Sequence, residues 1–493
     1  MYHAKQQDIL KLDFLIVGGG LSGLATAHAL ASSGHHVRVF EASSYNTNSV
    51  ASGFRVTSNG CKVLEQWGVW DEFTKLGCKV PSCEFVDLVT GVREGYLGWP
   101  DEVLKELGGE FYTISYNDLR DLLHRLALKS GVEIITNATV ATVQPPISDE
   151  PEETPSSQSE LDPTKPTVTL TTGEVYQGDL VVGADGQRGM VRDVIEEIPR
   201  APPGGKVIYN GILPVETLQS NELLRDILEI QIPIWMGSGY YGIAFPIRDF
   251  KFWLFQFWQI EDLDDNEPQG WGTTVPTSCL KYGDNIDPRL KIVIEHIPFF
   301  ERVKTDILPH AESWLDESET IFITGEAAHP MPTCAFTAAA IMLEEASFLG
   351  ALFSHITKRS QISSFLYAFE DVRQPRARRL HELEDDNHTI LQLPPGPARD
   401  ARNHTWAEEK KANDNSSEAE DMELRRQWQG FFENWGYDGR DAAESWWHEW
   451  GVLAQRALQS QSDAAAQDNS NPWGQANGIG LQFGQVDVVV SED

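Results

Sequence analysis

Three short stretches of this 493-residue sequence combine glycine with a carboxylate in a pattern suited to gripping a nucleotide. The first is Gly18-x-Gly20-x-x-Gly23, which follows the apolar run DFLIV and leads into LATAHALASSG, with Glu41 ending the next apolar run, HVRVFE. Glycines so spaced let the backbone turn tightly and approach a pyrophosphate, and a helix opening there presents free amides and a positive dipole end. An acid closing the second strand can accept both hydroxyls of a ribose. A dinucleotide is the natural ligand, and FAD and NAD are not distinguished by this motif. The plainer alternative, a glycine turn without a ligand, is disfavoured by strand, helix and acid occurring together.

The second stretch, DLVVGADGQRGMVR, sets Asp179 ahead of an apolar strand and Asp185-Gly186 behind it, with Arg188 and Arg192 following. Alone it reads as any strand-to-turn junction. The third, FITGEAAHPMPT from Phe322 to Thr333, repeats the form: an apolar strand ends in Gly325-Glu326, and a short linker leads to a helix. A carboxylate at a strand end can hold a ribityl hydroxyl, and the following helix aims its amides beyond it. By itself, a solvated loop fits equally well.

The elements that must position these residues follow from the sequence pattern. Residues 13 to 41 read as a βαβ opening. The segment 145 to 166, PPISDEPEETPSSQSELDPTKP, is dense in Pro, Ser and acids and reads as a mobile surface insertion between two strands. Residues 205 to 260 contain apolar runs broken by turn signals and end in FWLFQFWQI, so a large antiparallel sheet is expected there. Residues 337 to 357 and 361 to 392 read as helices. From about Pro394 the chain turns polar and acidic, then becomes Trp-rich and helical beyond Leu424, with a Gln, Asn and Ser-rich tail from about Gln459.

Composition narrows the function classes. With 39 Lys and Arg against 74 Asp and Glu, the formal charge of −35 argues against nucleic acid or anionic lipid as a partner. Cys61, Cys78, Cys83, Cys279 and Cys334 are scattered, odd in number and without zinc-site spacing, which suits a reducing compartment and predicts no metal. Met1 to Leu12 lacks the apolar stretch of a secretory signal, and the glycines within Phe14 to Leu30 fit a nucleotide turn better than a membrane span. A soluble, cytoplasmic protein without stable membrane insertion is expected; its oligomeric state is not legible.

The three motifs, in this order, resemble the GxGxxG, ADG and GDAAHP segments of the single-component FAD-dependent aromatic hydroxylases, the family of salicylate hydroxylase and para-hydroxybenzoate hydroxylase. The resemblance spans roughly residues 13 to 392. GFRVTSNGCKVLEQWG from Gly53 is similar to the family's GIQLSPNA helix opening, AFPIR near Pro246 to its YPLR strand, and FEDVRQPRARRL to its Arg-Pro-Arg helix. NWGYDGRDAAESW resembles a C-terminal stretch of fungal salicylate-hydroxylase-like members. The resemblance implies an α/β fold: a Rossmann-like FAD domain of the glutathione-reductase type, interleaved with an antiparallel β-sheet substrate domain and followed by a helical C-terminal extension. FAD segments would cover 10–80, 113–204 and 311–392, substrate-domain strands 81–112 and 205–310, and the extension 393–493.

It further implies noncovalent FAD, with the adenosine ribose on Glu41 and the pyrophosphate over Gly18, Gly20 and Gly23. Asp185 with Gly186 and Glu326 with Gly325 would approach the nicotinamide-binding and ribityl regions, and Gly53, Arg120, Ala338 and Ala339 would complete the cofactor site. NAD(P)H would reduce the flavin and leave, and an electron-rich ring would receive one atom of O2. Hydroxylation of a phenol or aromatic acid, with loss of carboxylate as a variant, is the implied reaction. Pro332 would offer a carbonyl to activate the ring hydroxyl.

The sequence departs from the family in three places. Glu326 stands where members carry Asp, Phe336 to Ala340 where they read GQGAN, and Tyr116 in SYNDLR where they carry Arg, a charge that Arg120 or Arg55 would replace. Arg55 reads either as a surface ion pair or as facing FAD or a substrate carboxylate. Tyr240 and Tyr241 lie on a strand expected to line the substrate pocket; Tyr241 is the preferred candidate to bond a phenol, against a core tyrosine satisfied by backbone. Phe252, Trp253, Phe255, Phe257 and Trp258 alternate between two faces, with core packing favoured over substrate contact. His329 is expected to pack structurally, and Cys334 to be a small buried residue. Two competing functions remain: the same cofactor used for epoxidation or oxidation without oxygen insertion, and a flavin-poor binding or scaffold protein.

Overall fold

A computed structural model describes residues 9–45, 51–147, 161–196, 206–261, 273–283, 285–305, 308–332, 335–414 and 429–453. The chain forms one body through Glu444 and a second, short one from Ser445. Within the second, residues Trp447–Gly451 make a π-helical turn.

A five-stranded sheet carries the motifs, in the order Ile321–Ile323, Leu180–Gly183, Asp13–Val17, His36–Glu41, Glu133–Thr136. Every adjacent pair is parallel. The runs FLIV and LVVG near the centre and IFI at the edge are buried throughout, as strands covered on both faces must be. Because the strands run the same way, the glycine-acid turns that follow three of them emerge at one edge, the usual ligand position in such sheets. Helices Leu21–Ser32 and Ala338–Phe353, rich in small residues, are buried beside it.

The second large sheet has eight strands, in the order Thr273–Val275, Phe300–Thr305, Lys206–Pro214, Phe252–Ile260, Tyr240–Ile247, Pro233–Met236, Ser82–Asp87, Arg93–Gly98. It is antiparallel as expected except at one seam, where Pro233–Met236 runs parallel to Ser82–Asp87. That seam joins strands far apart in sequence, so no hairpin fixes their direction. Alternation holds along the aromatic strand: Trp253, Phe255 and Phe257 pack into one core with Leu290, Val293 and Ile294. Leu254 and Trp258 pack into the other with Ile208, Tyr241 and Phe245. A smaller antiparallel sheet, Gly53–Val56 with Tyr112–Ser115 and Cys78–Lys79, adjoins it.

The Pro- and acid-rich insertion connects strands Val140–Gln144 and Thr167–Leu170, which pair antiparallel, and its neck is closed by the Ile147 amide donating to Pro163 O at 2.9 Å. Its centre, 148–160, lies outside the described residues, as does Cys334. The polar stretch after Pro394 forms a helix, Pro397–Asp414, whose Trp406 stacks on Phe85 with ring centroids 4.5 Å apart. Beyond it, Trp435 packs among Trp99, Phe111 and Phe431. The Gln, Asn and Ser-rich tail is outside the described residues.

Among the described residues no helix is long and apolar enough to cross a membrane, and no cluster of His, Cys, Asp or Glu could hold a metal ion. Cys61, Cys78, Cys83 and Cys279 are free thiols. Burial pushes the Cys78 thiol up to about 11, out of the reactive range.

Candidate active site

One cavity of about 510 Å³ is lined by Glu41, Glu326, Met331 and Pro332 among others, within the range of a cofactor or ligand pocket. The first loop builds the part around Glu41. Gly18 has φ +102°, and a Cβ on it would lie 2.4 Å from Ala184 O, so only glycine permits the turn against the neighbouring strand. A Cβ on Gly23 would sit 1.9 Å from Gly18 O, which explains a glycine that does not itself line the cavity. At Gly20 the space is open.

The Glu41 carboxylate is held on this loop. Its Oε2 accepts from the Gly19 amide at 2.8 Å, and its Oε1 accepts from the Ser43 amide and hydroxyl at 2.8 and 2.6 Å. Tyr45 donates to Gly19 O at 2.9 Å, and the Arg120 guanidinium lies 5.4 Å from the Tyr45 ring and 5.9 Å from that of Tyr116. Arg120 thus stands at the cavity wall beside the tyrosine that replaces the family's arginine.

The second loop contributes Asp185, Gly186 and Arg188. Burial raises the Asp185 carboxyl to about 6, against a hydrogen bond from the Val191 amide at 3.1 Å. The third loop contributes Glu326, whose carboxyl burial also pushes up, with His329 pulling it back. Gly325 lies behind the lining, where a Cβ would meet Ser22 Oγ at 2.5 Å; it seats the third loop on the first. Beneath it Glu345, fully buried, accepts from the Gly325 amide and Thr324 hydroxyl, each at 2.9 Å, and pairs with His329 Nε2 at 2.6 Å. Burial alone would raise the Glu345 carboxyl, but His329 and these hydrogen bonds outweigh it and hold it low. His329 is therefore the structural histidine expected, holding a loop.

The remaining expected residues divide. Gly53, Arg55, Pro332 and Ala338 border the cavity with those above. Ala339 is buried inside its helix, and the amide and hydroxyl of neighbouring Thr337 are bound by Glu384 at 2.9 Å. Tyr241 stands apart from the lining: its ring stacks on Trp258 and its hydroxyl meets His388 Nδ1 at 3.2 Å. Arg55 is no surface ion pair, being 1% exposed. It donates to Gln256 Oε1 at 3.2 Å and to Ala335 O at 3.4 Å, and lies 4.6 Å from the Phe336 ring.

The sheet supplies lining that sequence reasoning missed: Ile208, Asn210, Gln256, Val303 and Lys304. The aromatic side chains of FWLFQFWQI drew attention, yet Gln256 between them is the residue of that strand on the cavity. The available signal was an amide, Gln256, at an inward position of a mostly apolar strand.

FAD fits this cavity on the structure's own terms. Ser22 Oγ and Asp185 Oδ1 border it, buried and without a hydrogen-bond partner among the described residues, and the 12-residue helix from Leu21 begins there without a side-chain cap or first-turn acid.

The comparisons agree. The FAD binding domain family matches residues 11–211. The chain is 24% identical over 441 residues to the FAD-dependent monooxygenase OpS4 of Beauveria bassiana, covering 88% of this chain and 97% of that one. It is likewise 24% identical over 397 residues to 3-hydroxybenzoate 6-hydroxylase of Klebsiella oxytoca, covering 80% and 91%. Its fold matches CtdE solved with FAD and a substrate, with a TM-score of 0.70 at 17% identity over 90% of this chain and all of that one. A salicylate hydroxylase substrate complex matches with a TM-score of 0.65 at 18% identity over 88% and 97%. These findings set aside the scaffold reading: the chain is an FAD-dependent monooxygenase, similar in sequence and fold to aromatic hydroxylases.

Proposed function

We propose that this enzyme hydroxylates a phenol or aromatic acid held at the sheet end of the cavity, using NAD(P)H and O2. The observation that carries the reading is one cavity lined together by Glu41, Asp185 and Glu326 from the nucleotide-binding loops and by Arg55, Gln256 and Pro332. Glu41 would take the adenosine ribose, Gly18 and Gly20 the pyrophosphate, Glu326 and Ala338 the ribityl chain and ring, and Asp185 would approach the nicotinamide-binding region. Bound there and reduced, FAD supplies the activation of dioxygen. The protein's own part is positioning and the exclusion of water. Ile208, Val303, Met331 and Met342 wall the cavity with apolar surface. Pro332 O already accepts from the Ala335 amide at 3.0 Å, and its second lone pair would accept a hydrogen bond from a phenol hydroxyl and so orient the ring.

The test is a screen of phenols and aromatic acids for stimulated NAD(P)H consumption by the yellow holoenzyme, with mass spectrometry of products formed under labelled dioxygen. One labelled oxygen atom on the ring is expected. Stimulated consumption that yields only hydrogen peroxide, or label in an epoxide, would remove ring hydroxylation from the account.

A further inference from the structure

The polar residues where the sheet borders the cavity form a directed chain. Arg55 lies on the strand Gly53–Val56, while Asn210 and Gln256 face each other across the pair Lys206–Pro214 and Phe252–Ile260. Arg55 Nη1 donates to Gln256 Oε1 at 3.2 Å, and Gln256 Nε2 donates to Asn210 Oδ1 at 2.9 Å. A guanidinium has donors only, so Gln256 must turn its oxygen toward Arg55. Its amide nitrogen then faces Asn210, which must answer with Oδ1. This fixes Asn210 in the orientation that leaves Nδ2 over.

Asn210 is fully buried, borders the cavity, and its Nδ2 has no hydrogen-bond partner among the described residues. An unmet buried donor is costly to desolvate, so an acceptor supplied by a ligand recovers what the fold forgoes. Lys304, also buried at the cavity wall, is likewise a donor without acceptor capacity.

We infer that Asn210 sets substrate specificity by donating from Nδ2 to a carboxylate or carbonyl oxygen carried by the aromatic substrate, with Gln256 as the residue that positions it. The inference rests on the reading of this end of the cavity as the substrate site. A ring bearing only a donor at that point, such as an amine, leaves two donors facing each other and is disfavoured.

The test is calorimetric titration of the holoenzyme with three phenols matched in shape: a hydroxybenzoate, the corresponding hydroxyacetophenone and the corresponding aminophenol. Wild-type enzyme is expected to bind one or both oxygen-bearing probes about tenfold or more tighter than the amine; which of the two leads separates an anionic from a neutral acceptor. Asn210→Leu, close to isosteric, is expected to remove that preference by weakening the oxygen-bearing probes alone. Gln256→Met frees Asn210 to present Oδ1, so the amine should gain while the oxygen-bearing probes lose; this variant also decides the matter if Asn210→Leu does not fold. Equal weakening of all three probes by Asn210→Leu, an unchanged ratio in Gln256→Met, or no binding of any probe to wild type would overturn the inference. Failure to incorporate labelled oxygen would instead strike the hydroxylation reading, and the probe ratios would still decide Asn210.

Discussion

The end of the cavity at Glu41 is built almost entirely from one βαβ stretch, residues 13 to 45, with its glycines, acid and closing tyrosine within reach along the chain. The sheet end takes Arg55, Asn210, Gln256, Lys304 and Pro332 from separate segments spread over most of the sequence. A phosphate-binding turn is a local backbone device, so its requirements appear as residue types at fixed spacing. A substrate wall is assembled by strand pairing, and each segment contributes one side chain whose neighbours in sequence point elsewhere. Such walls can change without disturbing the cofactor frame, which is how one fold serves many substrates.

The largest expected effect breaks the local end. Gly23→Val places a side chain where even a Cβ would meet Gly18 O at 1.9 Å, so the purified protein should carry essentially no flavin, read as the ratio of flavin to protein absorbance. Retention of flavin near the wild-type ratio would mean that the turn is not what grips the cofactor.

Next comes the support under the third loop. Glu345→Ala leaves His329, the Thr324 hydroxyl and the Gly325 amide without their shared buried acceptor, and should cost about 3–5 kcal/mol in denaturant unfolding. A cost below about 1 kcal/mol, the level of an exposed pair, would show that the loop is held by something else.

The smallest effect sharpens the contrast through pH. Asp185 holds its proton to about pH 6 in the folded chain but only to ~3.9 when unfolded, so the folded state binds more protons between those values. Its contribution to stability is full below about pH 4 and is lost as pH rises through 6. Asp185→Asn cannot ionise. With FAD removed, the variant should therefore gain about 2–3 kcal/mol on wild type between pH 4 and pH 7, measured by unfolding at each pH. A gap that stays constant, or narrows with rising pH, would show that the carboxylate is solvated rather than buried.

Much was legible beforehand because it depended on patterns the backbone enforces. The parallel strands came from fully apolar runs, the nucleotide turn from glycine spacing, the two helices from residues 337 to 392, and the site carboxylates from their places at strand ends. Tyr241 shares the sheet face of the cavity residues Ile208 and Gln256, as its pattern predicts, but its hydroxyl meets His388 and its ring stacks on Trp258, so it stands outside the lining; which residues of one face reach a cavity depends on the elements packed over it. Arg55 stayed ambiguous for a related reason, since a buried and an exposed arginine look alike until their surroundings are known. Gln256 was passed over because its apolar neighbours carried the stronger signal.

By itself the sequence pattern pointed to a bound dinucleotide, and its resemblance to the flavin hydroxylases pointed to FAD, because glycine conformations and strand-end acids act over a few residues. Only the tertiary structure decided which side chains line the cavity beside the sheet and which way their amides point. Those depend on strand register and on a hydrogen-bond chain from Arg55 through Gln256 to Asn210, joining residues 201 and 46 positions apart.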